Sequence, residues 1–190
     1  IGLGLGSGNE PYEAFGLTRA NRVKKFEDGI DIMKSLWTQP ITNYRNEFLR
    51  LEDASMEPAP VQRPHLPIWL GGGHANVLRR AIRTADGWMG AGASSNADFK
   101  KRVLSIKDML EETGRDPKTF TISKRIYISV DTDESRALDS LRVWSGKVYG
   151  NPGLADQVAV WGSPQKCAEI LNEVASVGVD HLLLNPLFDF

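Results

Sequence analysis

Apolar residues follow two different spacings along the chain, and the two spacings alternate. Five short runs are continuously apolar, which is typical of strands buried on both faces of a parallel sheet. The segments between them place apolar residues three or four positions apart, as on one face of a helix. The predicted strands are residues 1–6, 67–70, 86–90, 121–130 and 180–185. The predicted helices are residues 20–38, 75–85, 97–113 and 133–149, followed by one that Ser163 caps, Pro164 opens and Gly178 ends.

Each predicted helix carries a stripe of apolar residues that we expect to be buried. The stripes are Phe26, Ile30, Met33 and Trp37; Leu78, Ala81, Ile82 and Ala85; Phe99, Val103, Ile106 and Leu110; Ala137, Leu141, Trp144 and Val148; and Cys167, Leu171 and Val174. A proline-rich segment after the first helix contains a predicted hairpin at residues 44–51. Residues 154–161 show neither spacing clearly, and no element is predicted there.

The alternation of strands and helices predicts an α/β fold in which helices cover a parallel sheet. A complete eight-stranded TIM barrel needs about 250 residues, whereas this chain has 190 residues and five predicted strands. The chain therefore fits a partial TIM-barrel fold, the later strands of a barrel whose first three units are missing. An open, doubly wound sheet is the alternative and needs no missing piece. We expect residues 1–190 to form a single domain, and the lack of a Met before Ile1 predicts a natural protein that extends upstream.

Charge and composition exclude several classes of protein. The chain has 23 basic and 24 acidic residues, so its net charge of −1 gives it no overall attraction to nucleic acid or to an anionic membrane. No apolar run approaches the roughly 18 residues of a membrane span. The single cysteine, Cys167, cannot form an internal disulfide, which favours a reducing, cytoplasmic compartment, and its place on an apolar stripe predicts a core residue. The three scattered histidines and one cysteine predict no metal site.

Two glycine-rich segments follow predicted strands and are candidates for binding a phosphate. Residues 71–74 (Gly-Gly-Gly-His) stand where a strand ends and a helix begins, so the backbone can approach a ligand and free N–H groups suit an anion. Residues 90–95 (Gly-Ala-Gly-Ala-Ser-Ser) follow the next strand. In a barrel these loops are neighbours on the face where sites are built. The alternatives are a tight turn and a flexible loop without a ligand, and His74 is expected either to donate to a phosphate or to cap its helix.

The start of the chain offers further candidates. Its glycines do not form a dinucleotide-binding motif, because Ser7 and Asn9 stand where the third glycine is needed. Ser7, Asn9 and Glu10 follow the first strand and are expected on the same face as the glycine loops. Glu10 is a candidate for a catalytic proton donor or for a hydrogen-bond partner of the ligand, and a helix-capping carboxylate is the alternative. His65 and His181 are expected to be structural.

Several segments, in this order, resemble the bacterial luciferase-like monooxygenases. They are RVKKFEDGIDIMKSLWT at 22–38, YRNEFLRLEDASMEPAPVQRPHLPIWLGGG at 44–73, LRRAIRTADGWMGAG at 78–92, VWGSPQKCAEIL at 160–171 and GVDHLLLNP at 178–186. The resemblance covers nearly the whole chain. It implies a TIM-barrel oxidoreductase that uses reduced flavin mononucleotide (FMN) or the deazaflavin coenzyme F-420, and the chain looks closest to the deazaflavin-using branch.

The resemblance also implies roles for particular residues. The family's loops that bind the cofactor phosphate correspond here to Gly72, Gly73 and His74 and to Ala91, Gly92 and Ser94. The family's side chains that lie against the cofactor ring system correspond to Ser7 and Glu10. Asn46 replaces the glycine that the family usually has in its hairpin turn, and we expect a left-handed Asn46 to preserve that turn. Some deazaflavin-using members have an acidic residue at the position that Ser7 occupies in this chain. The resemblance therefore does not imply a general acid at Ser7. The family's first three strands and last helix have no counterpart in this sequence.

These observations predict an oxidoreductase, monooxygenase-like, that acts on a small organic substrate when the protein is intact. A non-catalytic barrel fragment or ligand-binding relative is the rival hypothesis, and a phosphosugar-type barrel enzyme without flavin is a third. Because an open barrel leaves strand edges unpaired, we expect the chain to form a homo-oligomer or to pair with its missing N-terminal part.

Overall fold

The computed structural model describes residues 1–6, 10–16 and 18–187, and the chain divides into two units. The first unit contains Ile1 and Leu3–Ile68, and the second contains Gly2 and the chain from Trp69 onward. None of the helices in the described residues is both long enough and apolar enough to cross a bilayer.

The first unit is built around one long helix and a hairpin. It contains Leu3 of β1 (Gly2–Leu3), followed by α1 (Glu10–Ala14), α2 (Arg22–Thr38), β2 (Thr42–Arg45) and β3 (Arg50–Ala54). Strands β2 and β3 pair antiparallel, with Tyr44 opposite Leu51, so the predicted hairpin is confirmed.

A buried carboxylate in this unit links the helix to the hairpin. Asp28 of α2 accepts hydrogen bonds from the Tyr44 hydroxyl (2.9 Å), the Asn46 amide (2.5 Å) and the Lys24 ammonium (3.2 Å). Burial opposes ionisation of Asp28, but these donors outweigh it and hold the pKa of the carboxyl below its ordinary value. The hairpin is therefore held to α2 by a charged, fully bonded group.

Asn46 preserves the hairpin turn by a different means from the predicted one. Its backbone is not left-handed, since the described non-glycine residues with positive φ are Asn21 and Asp53. Its side-chain oxygen instead accepts from the backbone N–H groups of Phe48 and Leu49, both at 2.8 Å. The turn therefore survives as expected, although Asn46 is not left-handed, because its side chain adds these bonds to the backbone bond between the Asn46 N–H and the Leu49 carbonyl.

The second unit alternates strands and helices. Its elements are β4 (Trp69–Gly71), α3 (Ala75–Thr84), β5 (Gly87–Gly90), α4 (Asn96–Glu112), a 3-10 turn (Pro117–Thr119), β6 (Thr121–Val130), α5 (Glu134–Tyr149), α6 (Leu154–Val158), β7 (Val160–Gly162), α7 (Pro164–Ser176) and β8 (His181–Pro186). The predicted strands and helices of this region are confirmed within a few residues. The segment 154–161, left without an element, contains α6 and the start of β7.

The described strand pairs β4–β5, β5–β6, β6–β7 and β6–β8 are parallel, which confirms the α/β fold. Strand β5 lies between β4 and β6, with Trp69 opposite Gly87 and Gly87 opposite Thr121. The ten-residue β6 then pairs with β8 along Ser123–Ile128 and with β7 at its carboxyl end.

The predicted helix stripes are mostly but not wholly correct. The four α4 residues and the four residues of the α3 stripe are buried, and Cys167 and Val174 of α7 are buried as well. Leu171 is half-buried, as are Phe26, Met33, Trp37 and Trp144. Val148 at the end of α5 is 54% exposed, so its predicted burial is wrong, and the neighbouring turn of the helix buries Ser145 instead.

Strand β8 is more exposed than its apolar sequence predicts. Leu183 and Leu184 are 40% and 43% exposed, although strands of a parallel sheet are ordinarily covered on both faces. The sequence therefore predicts the existence of this strand correctly but not its surroundings.

Gly87 tests the packing of the sheet. A Cβ at this position would lie 2.5 Å from the Thr121 carbonyl oxygen and 2.9 Å from the Trp69 ring, and a paired strand cannot move away. We expect Gly87→Ala to lower the free energy of unfolding by about 1–3 kcal/mol in denaturant titrations. Gly29→Ala is the control, because nothing lies within 4 Å of its Cβ position and alanine favours a helix by about 0.5–1 kcal/mol. Equal stability of Gly87→Ala and the wild type would contradict the packing described.

Candidate functional site

Two loops leave the carboxyl ends of the adjacent parallel strands β4 and β5. The first glycine loop, residues 72–74, connects β4 to α3, and the second glycine loop, residues 91–95, connects β5 to α4. Because β4 and β5 are paired in register, both loops leave the same edge of the sheet. The predicted neighbourhood of the two loops is therefore present within the second unit.

Three side chains hold the loops through their carbonyl oxygens. The Trp88 indole N–H donates to the Gly72 carbonyl at 2.7 Å, and Arg102 Nε donates to the Gly73 carbonyl at 3.2 Å. Lys124 Nζ donates to the Ser94 carbonyl at 3.0 Å. Each loop is thus fixed by groups from the body of the second unit.

Holding the carbonyls also directs the amide N–H groups. In a trans peptide the C=O and the following N–H point in opposite directions. Bonds to the carbonyls of Gly72, Gly73 and Ser94 therefore turn the N–H groups of Gly73, His74 and Ser95 away from the three donors. Backbone N–H groups at the start of a helix can donate to an anion when they are turned outward in this way.

Close approach favours glycine in both loops, since a Cβ would meet a buried ring at Gly92 and would displace the guanidinium of Arg102 at Gly73. A Cβ on Gly73 would lie 2.6 Å from Arg102 Nε, and one on Gly92 would lie 2.6 Å from Cζ of Tyr127. Gly72 has φ 128°, a conformation that other residues rarely adopt. The sequence of these loops thus follows from the side chains that support them.

The two helix starts differ in their charge. His74 caps α3, with Nδ1 accepting from the Asn76 N–H at 3.2 Å, and α3 has no acidic residue in its first turn. Ser95 caps α4, where the Asp98 carboxylate already lies at the N-terminus and accepts from the Ser95 hydroxyl at 3.0 Å. A ligand anion is therefore favoured near the start of α3 and Arg102 rather than at the start of α4.

Lys124 is a buried cation beneath the second loop. Its side chain is fully buried, and its ammonium lies 4.9 Å from the centre of the Phe99 ring. Burial, together with the nearby positive charge of Arg102, lowers the pKa of Lys124 to about 8. The loop is thus supported by a group that titrates near neutral pH.

Tyr127 supports the same loop from the other side. It is 2% exposed, its ring lies against Gly92, and its hydroxyl bonds to that of Tyr149. Burial, together with this bond, raises the pKa of Tyr127 to about 12, so the phenol stays neutral. Tyr127 and Tyr149 also pack against Trp144, which gives the loop a rigid aromatic support.

The predicted site residues have different outcomes. His74 caps its helix, which was one of its two expected roles, while the Ala91 carbonyl accepts from the backbone N–H and the hydroxyl of Ser94 at 3.1 and 2.7 Å. Ser7 lies outside the described residues, and Glu10 opens α1 without a described side chain. Their expected place beside a cofactor ring remains a prediction.

The other histidines and the cysteine lie away from these loops in sequence and have structural contacts. His65 packs near Trp37 with ring centres 6.3 Å apart, and His181 meets the edge of Trp69 at 5.3 Å. Cys167 is buried against the Gly162 carbonyl, and burial raises the pKa of its thiol. Within the described ranges, no cluster of three His, Cys, Asp or Glu side chains could hold a metal.

Sequence reasoning missed the three side chains that hold the loops. Trp88 and Arg102 were assigned only to an apolar strand and a helix. Lys124 did leave a signal, because Lys124 and Arg125 interrupt an otherwise apolar strand. A charged residue in a predicted central strand indicates a buried polar contact.

Comparison with known proteins identifies the relatives of the chain. The family model described as luciferase-like monooxygenase matches residues 1–152. An uncharacterized protein of Mycobacterium tuberculosis is 35% identical over 117 residues, which are 60% of this chain and 39% of that protein. An F420-dependent glucose-6-phosphate dehydrogenase of Segniliparus rotundus is 28% identical over 149 residues, 75% of this chain and 44% of the relative.

A solved structure shares the fold. An F420-dependent secondary alcohol dehydrogenase, in complex with an F420-acetone adduct, superposes with a TM-score of 0.81 at 16% identity, covering 98% of this chain and 63% of that one. The chain thus spans about two fifths of the length of the curated relatives described above.

Gly92 provides a test of the aromatic support beneath the second loop. We expect Gly92→Ala to lower the free energy of unfolding by about 1–3 kcal/mol, because the added methyl group would clash with the Tyr127 ring, which cannot shift while it bonds to Tyr149. Ala93→Ser, at an exposed position of the same loop, is the control and is expected within about 0.5 kcal/mol of wild type. Chemical denaturation measures both, and a stable Gly92→Ala would show that the contact is loose.

Proposed function

Since the chain belongs to the luciferase-like monooxygenase family, we propose that it carries the cofactor-phosphate site of an oxidoreductase that uses F-420 or FMN on a small organic substrate. The relatives include F420-dependent dehydrogenases, and another similar structure is a riboflavin lyase with modified FMN, at a TM-score of 0.67. The fold that we propose for the intact protein is a TIM barrel, of which this chain supplies the later strands.

One observation carries the proposal: the two glycine loops are held by their carbonyls, so that N–H groups of both loops face away from the supports. The donor set matches a phosphate, which both cofactors carry. The guanidinium of Arg102, bonded to Gly73, adds a permanent positive charge beside the first loop. The start of α3 is the favoured place, since Asp98 already serves the start of α4.

The chemistry of the proposed reaction belongs to the cofactor, which supplies hydride transfer as F-420 or oxygen activation as reduced FMN. The contribution of this chain is to bind and orient. Gly72, Gly73 and His74 would hold the phosphate, and the second loop would complete the site through Gly92 and Ser94. Glu10 is proposed as the candidate proton donor, on its position after β1 and the family resemblance alone.

A pocket in the first unit supports a further contact surface there. It has a volume of about 260 Å³ and lies beyond β1. It is lined by Gly4, Leu5, Tyr12, Thr18, Arg22, Lys25 and Phe26. It is a place where an aromatic ligand could contact apolar and cationic side chains together, in the part of the sequence where Ser7 and Glu10 were predicted to act.

The phosphate hypothesis is tested by comparing FMN with riboflavin, which has the same ring without the phosphate. We expect the chain to bind FMN at least about tenfold more tightly than riboflavin in fluorescence titrations, since a charge-assisted hydrogen bond contributes about 1.5–3 kcal/mol. The same comparison applies to F-420 and its deazaflavin ring without the phosphate tail. Arg102→Met should reduce the preference for the phosphate-bearing form.

Lys100→Met is the matched control, because it removes one positive charge from an exposed position of the same helix. It should keep the preference for FMN nearly unchanged. Equal binding of FMN and riboflavin by the wild type would contradict the phosphate site. Binding of a phosphomonoester without any affinity for either ring would favour the phosphosugar-type alternative.

A second proposal concerns association, and the exposed leucines of β8 favour it. Leu183 and Leu184 present apolar surface on a strand that a parallel sheet ordinarily covers. We propose that another polypeptide, a second copy or the remainder of a barrel, covers β8. An isolated chain that only packs in this way is the non-catalytic alternative.

Light scattering at high concentration tests the association of the chain with itself. We expect a mass above that of the 21.0 kDa monomer. Leu183→Gln with Leu184→Gln should shift the mass toward the monomer, while Val61→Gln, at a 91% exposed position, should not. A monomer for the wild type at all concentrations would contradict self-association.

A further inference from the structure

Two positive charges of the second unit, Arg102 and Lys124, lie near each other, and no salt bridge to either is present in the described part of the chain. Arg102 contacts the Gly73 carbonyl, and Lys124 contacts the carbonyl and, at 3.5 Å, the hydroxyl of Ser94. Among the residues that the structure describes, Asp98 is the nearest carboxylate in sequence on α4, and its ion pair is with Lys101 instead. The described residues give neither Arg102 nor Lys124 a salt bridge.

This arrangement is costly for Lys124 in particular. A fully buried ammonium is normally paired with a carboxylate, because its hydration is lost. Here its neighbours are the neutral Ser94, the ring of Phe99 and a second cation, Arg102, whose charge repels it. Carbonyl oxygens and a ring face offset only part of this cost. The charge that would balance the pair is absent from the described chain.

We propose that Arg102 and Lys124 form a cationic pair that is balanced by the phosphate of the bound ligand, with Lys124 acting as a positioning residue through Ser94. Arg102 would supply charge from behind the first loop, on the side of the Gly73 carbonyl, while Lys124 supplies charge from beneath the second loop and holds its backbone in place. The inference rests on the proposed function, because it assigns residues to the same phosphate site.

The proposal has a consequence that a purely structural lysine would not have. An anion bound nearby favours the charged form of Lys124 and must raise its pKa from about 8. By linkage, ligand binding then takes up a proton near pH 8, and the affinity falls as the pH rises above about 8. Among the groups around Lys124, Arg102 stays charged, Ser94 and Phe99 do not titrate, and the pKa of Tyr127 is about 12. The variant Lys124→Met measures any proton uptake by other groups of the site.

The experiment is calorimetric titration of the chain with FMN near pH 8 in two buffers with different ionisation enthalpies. A phosphomonoester has its second pKa near 6, so FMN itself binds as a dianion throughout this range. We expect an uptake of about half a proton per FMN bound at pH 8. Riboflavin, which lacks the phosphate, should bind without proton uptake.

Three variants separate the roles of the residues. Lys124→Met removes the charge while filling the same space, and should weaken FMN binding about tenfold and abolish the proton uptake. Lys124→Arg keeps a charge that does not titrate, and should remove the proton uptake while retaining more of the affinity. Lys100→Met, exposed on α4, should retain both. The wild-type measurement needs no variant, so the test stands even where a substitution at Lys124 prevents folding.

The outcomes distinguish the inference from the function that it rests on. Tight binding of FMN over riboflavin without proton uptake near pH 8 would overturn the cationic pair and leave the proposed function standing. Binding of glycerol phosphate with proton uptake, and no affinity for either ring, would support the pair and overturn the flavin function. An absence of binding by FMN, F-420 and glycerol phosphate alike would overturn both.

Discussion

The pairing of strand β6 is the constraint on which the second unit depends. Its ten residues hydrogen-bond to β5 at one end, to β8 along the middle and to β7 at the other end. The same strand supplies Lys124 to the second glycine loop, Tyr127 to Gly92 and Arg125 to Asn185 at 2.7 Å. Because a shift of register by one residue would turn each of these side chains to the opposite face, the sheet and the loop geometry cannot vary independently.

The supports of the two loops are also connected to each other. Trp88, which holds Gly72, stacks on Phe99 with ring centres 5.5 Å apart. The ammonium of Lys124 lies over the same Phe99 ring. Phe99 in turn packs so closely on Gly90 that a Cβ there would lie 2.5 Å from its ring. The residues that hold the first loop and those that hold the second therefore share one aromatic contact in the core.

Burial could be predicted from the sequence where apolar residues recur at a regular helical spacing. The α4 stripe is buried as predicted, because a helix with apolar residues every third or fourth position has one way to face a sheet. The last turn of α5 packs through Tyr149, which contacts Tyr127 and Trp144, while Val148 beside it is exposed. Leu183 and Leu184 are exposed as well, and no local pattern in the sequence indicates which neighbours an apolar residue will meet.

Polar contacts between residues distant in sequence could not be predicted from the sequence either. Asp28 lies 16 and 18 residues before Tyr44 and Asn46, and nothing in this spacing indicates that they meet. The glycine loops were found because glycine marks a backbone requirement directly, whereas Arg102 and Lys124 act on residues 29 and 30 positions away. Candidate loops can thus be located from sequence, while the side chains that support them depend on the assembled sheet.

The three carbonyl contacts also bear on the entropy of binding. A loop that must become ordered around a ligand loses conformational freedom at that moment, and the loss weakens the complex. Here Trp88, Arg102 and Lys124 already fix the loops through Gly72, Gly73 and Ser94, so that cost is met during folding. Recognition at these loops is consequently preorganised, and differences between ligands should reflect their chemistry rather than the work of shaping the protein around them.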